Sequence, residues 1–233
     1  MFLALLISLL YSSFGSKAKA QADKILDSAW NLYNNEGDLP KAIVLNMLAY
    51  TIAQDGHDLK NMARAITQRA IFYDIEGKSD SSLFLFYKAL NIQESIKDTL
   101  GLQTTYNNLG IFHFTRGQLY NAEKFSKLSY EKAALTHDYN GAALSLVNMG
   151  IVEVEKQRPN KALKYYSEAE RLFLYLGDSI SVGLVWANIA GLHFHLKNYV
   201  EALKFINKSM KYDKLYTPYY QLSCRITMGD ILM

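Results

Sequence analysis

The side chains best able to do acid–base or metal chemistry are few in this sequence and badly spaced for it. His193 and His195 lie two residues apart, about 200° around a helix, so one ion cannot take both as it takes an i, i+4 pair. His113 and His193 fall at equivalent places in two segments that, as packed helices, would sit on the order of 20 Å apart. Both read as packed imidazoles. Glu153 and Glu155 point to different faces of one helix, which removes a paired-carboxylate acid and base. Cys224 is the single cysteine, so neither an internal disulfide nor a Cys/His nucleophile pair is available. The sequence has no Gly-x-Ser-x-Gly elbow and no phosphate-cradling Gly-rich loop; its glycines fall where helices would end. It therefore predicts no enzyme, no cofactor and no metal site. What does recur is an amide: Gln68, Asn108, Asn148 and Asn188, one every forty residues. A carboxamide donates and accepts at once, which suits the main chain of an extended peptide and equally the side of an adjacent helix.

The elements that must position these amides share their period. Small residues recur at Ala70, Gly110, Gly150 and Ala190, at Ala42, Ser82, Ala122, Ala162 and Ala202, and at Ala49, Ala89, Ser129, Ala169 and Ser209. Each unit resolves into two helices. The first, for example Leu102 to Arg116, places Tyr106, Leu109, Gly110 and His113 on one face; the second, about Leu119 to Ala134, turns Ala122, Phe125 and Ser129 inward. Gly37, Gly77 and Gly117 stand between the two helices, where a left-handed C-cap costs a residue without Cβ little. Asp58, Asp98, Asp138 and Asp178 precede the next first helix, where a carboxylate caps free N–H groups. Pro40 and Pro159 fall in the first turn of a second helix. The small residues let paired helices approach to about 8 Å.

Two helices per unit, a small residue followed by others twelve and nineteen positions on, and Gly between the helices together resemble the tetratricopeptide repeat (TPR). That repeat is usually about 34 residues long; here it is forty. Asn108-Leu109-Gly110 and Asn148-Met149-Gly150 are similar to the kinesin-light-chain-like and bacterial Rap-like branch of the family. The resemblance implies an all-α fold, a right-handed α-solenoid of about five full repeats and one partial: 22–58, 59–98, 99–138, 139–178, 179–217 and 218–233. Repeat 1 departs from the pattern with Trp30 at the small position and Lys24, Ser28, Asn31 and Asn35 on its first helix, as a terminal repeat does. Repeat 6 begins near Tyr219, puts Gly229 at the small position, and reaches only Met233, which predicts a longer natural chain.

The resemblance also implies that one stripe of the first helices faces a concave surface. That stripe comprises Arg64, Gln68, Ile71 and Ile75; Thr104, Asn108, Ile111 and Thr115; Leu144, Asn148, Ile151 and Glu155; Leu184, Asn188, Gly191 and His195; with Asp74, Phe114, Val154 and Phe194 beside them. Arg64, Gln68, Ile71, Asn108, Ile111, Phe114, Asn148, Ile151, Asn188 and Phe194 are the candidate peptide-binding residues. The competing expectation is that the amides bond to the adjacent helix and stabilise stacking. The clamp with which chaperone-tail-binding TPRs hold a terminal carboxylate is disfavoured, because only Lys24 and Arg64 bring positive charge to the stripe.

Composition bounds the rest. Half of the 233 residues are hydrophobic, and three prolines and thirteen glycines are too few for a disordered chain. The opening MFLALLISLLYSSFGSKAKA joins an apolar run, too short to cross a bilayer, to Ala18-Lys19-Ala20. It reads as a secretory signal over residues 1–20 cut after Ala20, although no Lys or Arg precedes the run. Export, most simply to a periplasm, follows as an expectation. Loss of Lys17 and Lys19 takes the formal charge from +3 to +1, which argues against a nucleic-acid surface. Lys204, Lys208, Lys211 and Lys214 read as a solvated helix face. The sequence thus predicts an exported scaffold for a protein or peptide partner. The alternative is the N-terminal sensor region of a membrane-spanning signalling protein or regulator, in which a membrane enters through a further C-terminal part.

Overall fold

The computed structural model describes residues 2–212 and Gly229, with side chains from Lys17 onward. Tyr219, Cys224, Lys214 and Met233, and with them most of the expected sixth repeat, lie outside the described residues; Gly229 is helical. The first helices, here A helices, are α1 (Phe2–Asn31), α3 (Leu59–Ile75), α5 (Thr99–Phe114), α7 (Tyr139–Glu155) and α9 (Ser179–His195). The second, B helices, are α2 (Leu39–Asp55), α4 (Ser79–Ser95), α6 (Leu119–Leu135), α8 (Pro159–Leu176) and α10 (Tyr199–Met210). No strand occurs among the described residues. The forty-residue period is thus a period of helical hairpins: the B helices start at 39, 79, 119, 159 and 199, and four A helices at 59, 99, 139 and 179.

The aspartates explain why the A helices begin where they do. Asp58, Asp98, Asp138 and Asp178 each accept the backbone N–H three residues on, from Asn61, Gly101, Gly141 and Ser181. The backbone N–H of each same Asp closes the preceding helix, onto the carbonyls of Ala53, Gln93, Ala133 and Phe173. One residue therefore ends a B helix and starts an A helix, which places the start of α5 at Thr99, three residues earlier than Leu102. Among the B helices only α2 has such a cap, Asp38 accepting from Lys41; Lys78, Gln118, Arg158 and Asn198 make no side-chain cap bond.

Both kinds of turn need a left-handed residue. Between A and B helices it is Gly37, Gly77 and Gly117, as the sequence indicates, and then Gln157 and Lys197 at φ +56° and +61°. Between B and A helices it is His57, Lys97 and His137 at φ +53° to +55°, and Gly177. The second set has no glycine signature in three of its four members, so composition alone hides it.

Every member of the three small-residue columns is buried. A Cβ added to Gly150 would lie 2.4 Å from the ring of Tyr166, itself fully buried, and one added to Gly110 2.9 Å from Ser126 Oγ. These glycines hold close helix crossings. Contacts divide the chain into two units, residues 1–105 and 106–233. Unit 1 packs α1 on α2, α2 on α3 and α3 on α4, burying Leu26, Phe72 and Phe86. Unit 2 packs α6 on α7, α7 on α8, α8 on α9 and α9 on α10, around Leu146, Met149, Tyr166, Phe173, Val182, Val185 and Ile189. Burying side chains of this size stabilises by about 1.5–3 kcal/mol each.

Candidate peptide-binding face

In unit 1 Arg64 and Gln68 of the stripe are engaged within the fold. Arg64 forms ion pairs with Asp23, at 3.2 Å, and Asp27, both on α1. Gln68 is buried; its amide donates to the Leu26 carbonyl at 3.2 Å and accepts from Asn46 Nδ2 at 3.2 Å. Asn46 also donates to the Ala65 carbonyl and accepts from Arg69 Nε, at 2.9 and 3.0 Å. Arg69 is half-buried with its guanidinium carbon 5.4 Å from the centre of the Tyr50 ring, and burial lowers its pKa. Lys24 stays exposed, and Ile71 is partly exposed. In this unit the amide ties α3 to α1 and α2, the stacking role expected as the alternative to peptide contact.

In unit 2 the same positions are more open. Asn108, Asn148 and Asn188 are partly exposed, as are Phe114, Ile151, Val154 and Phe194, while Ile111 and Leu144 are each 42% exposed. Asn148 Nδ2 donates to Asn107 Oδ1 at 2.8 Å, linking α7 to α5. That bond uses a neighbouring amide rather than a buried carbonyl, and leaves Asn148 partly exposed beside Ile151. Asn107 belongs to the face although the sequence reading omits it. It lies forty-one residues before Asn148, the offset that also separates Arg64 from Asp23.

Some of the charge elsewhere in unit 2 is paired. Glu123 pairs with Lys127 at 2.7 Å and with Lys156. These partners, Lys127 first, hold its carboxyl down to about 2. Glu153 is buried, with Arg158 Nη1 3.7 Å away. The histidines pack: His113 stacks on Phe125 and His193 on Phe205, with ring centres 5.2 and 5.8 Å apart. No group of three or more metal-binding side chains occurs among the described residues. Burial pushes the Tyr166 phenol above its ordinary pKa. A cleft of about 220 Å³ opens beside Tyr130, His137, Tyr139, Glu168 and Arg171. Its Asp138 is occupied in capping α7.

These hairpins also match known proteins. A family model described as Tetratricopeptide repeat matches residues 101–174. Residues 101–174 are thus TPR sequence. The fold of the chain recurs in solved structures. It aligns with a Signal Transduction ATPase with Numerous Domains protein with a tetratricopeptide repeat sensor, from Pyrococcus horikoshii, at TM-score 0.72 and 17% identity, over 99% of this chain and 34% of that one. It aligns with BtubC (BKLC) from P. vanneervenii at TM-score 0.60 and 16% identity, over 94% and 85%. It aligns with pilF of Pseudomonas aeruginosa at TM-score 0.61 and 18% identity, over 84% and 78%. At these identities the likeness is one of fold, the all-α TPR solenoid. No curated protein matches the chain.

Proposed function

We propose that this protein is an exported, non-enzymatic TPR scaffold that binds an extended protein segment along the A-helix face of unit 2. The observation that carries this is the row of partly exposed amides, Asn108, Asn148 and Asn188, set beside the open apolar side chains Ile111, Phe114, Ile151 and Phe194. An extended segment brings unpaired main-chain N–H and C=O groups that amides can meet, and side chains that the apolar neighbours can cover. Arg64, Gln68 and Ile71 continue the stripe in sequence, but Arg64 and Gln68 serve first to hold α3 to α1. By family resemblance this is the side that TPR solenoids turn inward.

Export rests on the leader-like residues 1–20. Helix α1 runs through this stretch, and the Lys19 carbonyl accepts from Asn61 Nδ2 at 3.3 Å, so cleavage after Ala20 would remove that bond and leave the buried Ala22 and Leu26 in place. Among the described residues no helix is long and apolar enough to cross a membrane.

The test is capture of partners from the native envelope with residues 21–233 as bait, in parallel with the double variant Asn108→Ala/Asn148→Ala. Loss of the captured protein with unchanged helicity supports the reading. Undiminished capture would mean that these amides only stabilise stacking. Mass spectrometry of the protein from its own cell gives an N-terminus at Gln21 if the leader is cut, and at Met1 if it is not.

A further inference from the structure

Charge sets the A helices of unit 2 apart. α5 and α9 are the described helices that contain no Asp, Glu, Lys or Arg, and α7 contains only Glu153 and Glu155. The companion B helices are densely charged: α6 carries Glu123, Lys124, Lys127, Glu131 and Lys132, and α10 carries Glu201, Lys204 and Lys208. Glu153 is buried beside Arg158. The A-helix face therefore shows a single exposed carboxylate, Glu155, at one end of α7. The rest of it is amide, hydroxyl and hydrocarbon, with the exposed His195 imidazole at the end of α9 and with Ile111 and Leu144 the most open apolar groups of its stripe.

From this we infer that the segment bound by unit 2 is uncharged, with apolar side chains about three residues apart; the inference deepens the peptide-binding reading and rests on it. A charged side chain laid on this face would lose its water and, away from Glu155 at the end of α7, find no counter-ion. An uncharged apolar side chain would instead cover Ile111, Leu144 or Ile151 and be stabilised in proportion to the apolar area removed from water. The spacing follows from two pitches. Successive A helices of unit 2 touch, α7 meeting α9 directly and α5 through Asn107 and Asn148; touching helices stand about 8–10 Å apart, and an extended or polyproline-type chain advances about 3.1–3.4 Å per residue. Equivalent positions on α5, α7 and α9 therefore meet every third residue of the guest. Because both surfaces are neutral, binding releases few ions and is nearly indifferent to salt.

The experiment is fluorescence anisotropy of the full chain with four blocked, labelled nine-residue peptides. One has Leu at positions 2, 5 and 8 among Ser and Gln. Two replace every Leu by Lys or by Asp. The fourth has the first peptide's composition with its three Leu adjacent. The expected result is that the spaced Leu peptide binds at least tenfold more tightly than either charged peptide and at least threefold more tightly than the clustered one. Its Kd should change less than twofold between 50 and 500 mM NaCl. Ile111→Gln, at an exposed site, should weaken it at least fivefold, whereas Ile71→Gln in unit 1 should not. If the Lys or Asp peptide binds more tightly and Asn148→Ala abolishes that binding, the class assigned here is wrong while the peptide-binding reading stands. If the clustered peptide equals the spaced one, the spacing is wrong. If none of the four binds, both the reading and this inference fall.

Discussion

The two units apply one repeat to opposite ends. In unit 1 the charged and amide positions of the A-helix stripe are engaged, Arg64 held by Asp23 and Asp27 and Gln68 buried between the Leu26 carbonyl and Asn46, while Ile71 and Ile75 stay open. In unit 2 the equivalent positions are partly open and, apart from Glu155, without a carboxylate or a basic Lys or Arg, with Asn148 meeting Asn107 and Ile111 standing 42% exposed. The amide at the same repeat position is spent on stability in one unit and left near the surface in the other. What decides between them is the neighbouring helices. An aspartate pair on α1 recruits Arg64, and Asn46 on α2 draws in Gln68 and Arg69, whereas α5 offers α7 a second amide.

The comparison can be broken most forcefully in unit 1. Asn46→Ala removes two donated bonds and the acceptor of Arg69 Nε, leaving Gln68 and Arg69 short of partners in a buried place. The expected loss is about 3 kcal/mol in urea unfolding, with no change in peptide affinity measured on unit 2. Gly150→Ala tests the close crossing in unit 2. Its methyl would meet the buried Tyr166 ring, so the expected cost is about 2 kcal/mol, while Gly191→Ala, with open space at its Cβ, should be neutral or slightly stabilising. Thermal melts of the two variants side by side decide this.

Next in size is Glu123→Gln on the seam, expected to cost about 1 kcal/mol at neutral pH. Its folded carboxyl titrates at about 2, below the ordinary 4.5, so the stabilisation is present above pH 4.5 and is lost as pH falls from 4.5 towards 2. The stability gap between parent and variant should therefore close over that window in acid titrations followed by circular dichroism. Smallest is the turn effect: Gln157→Gly and Lys197→Gly relieve left-handed backbone and should each gain about 0.5 kcal/mol, whereas Gly117→Ala should lose about 1 kcal/mol. Denaturant midpoints resolve both signs.

The repeat was legible in the sequence because its causes are local or strictly periodic. Small residues mark helix crossings, aspartates mark A-helix starts, and both kinds recur at forty-residue intervals; the buried columns and the four capping bonds follow them position by position. The left-handed turns were half legible, since Gly37, Gly77 and Gly117 announce themselves and His57, Lys97 and His137 do not. The face was harder. Whether a stripe residue is closed or open depends on residues forty-one or forty-two positions earlier on the preceding A helix, as with Asp23 for Arg64, Leu26 for Gln68 and Asn107 for Asn148. A search for complementary partners at that offset would have found the Arg64 pair. The role of Asn46 is less accessible: its column otherwise holds Phe86, Ser126, Tyr166 and Ile206, so nothing periodic foretells a polar centre there.

Ile71, Ile111 and Ile151 occupy one repeat position, the first in unit 1 and the others in unit 2, and they make the most direct probe of the account. Methyl NMR of isoleucine-labelled protein, titrated with the spaced neutral peptide, should shift the Ile111 and Ile151 signals together and leave Ile71 in place. Shifts confined to Ile71, or to isoleucines of the B helices such as Ile206, would contradict it.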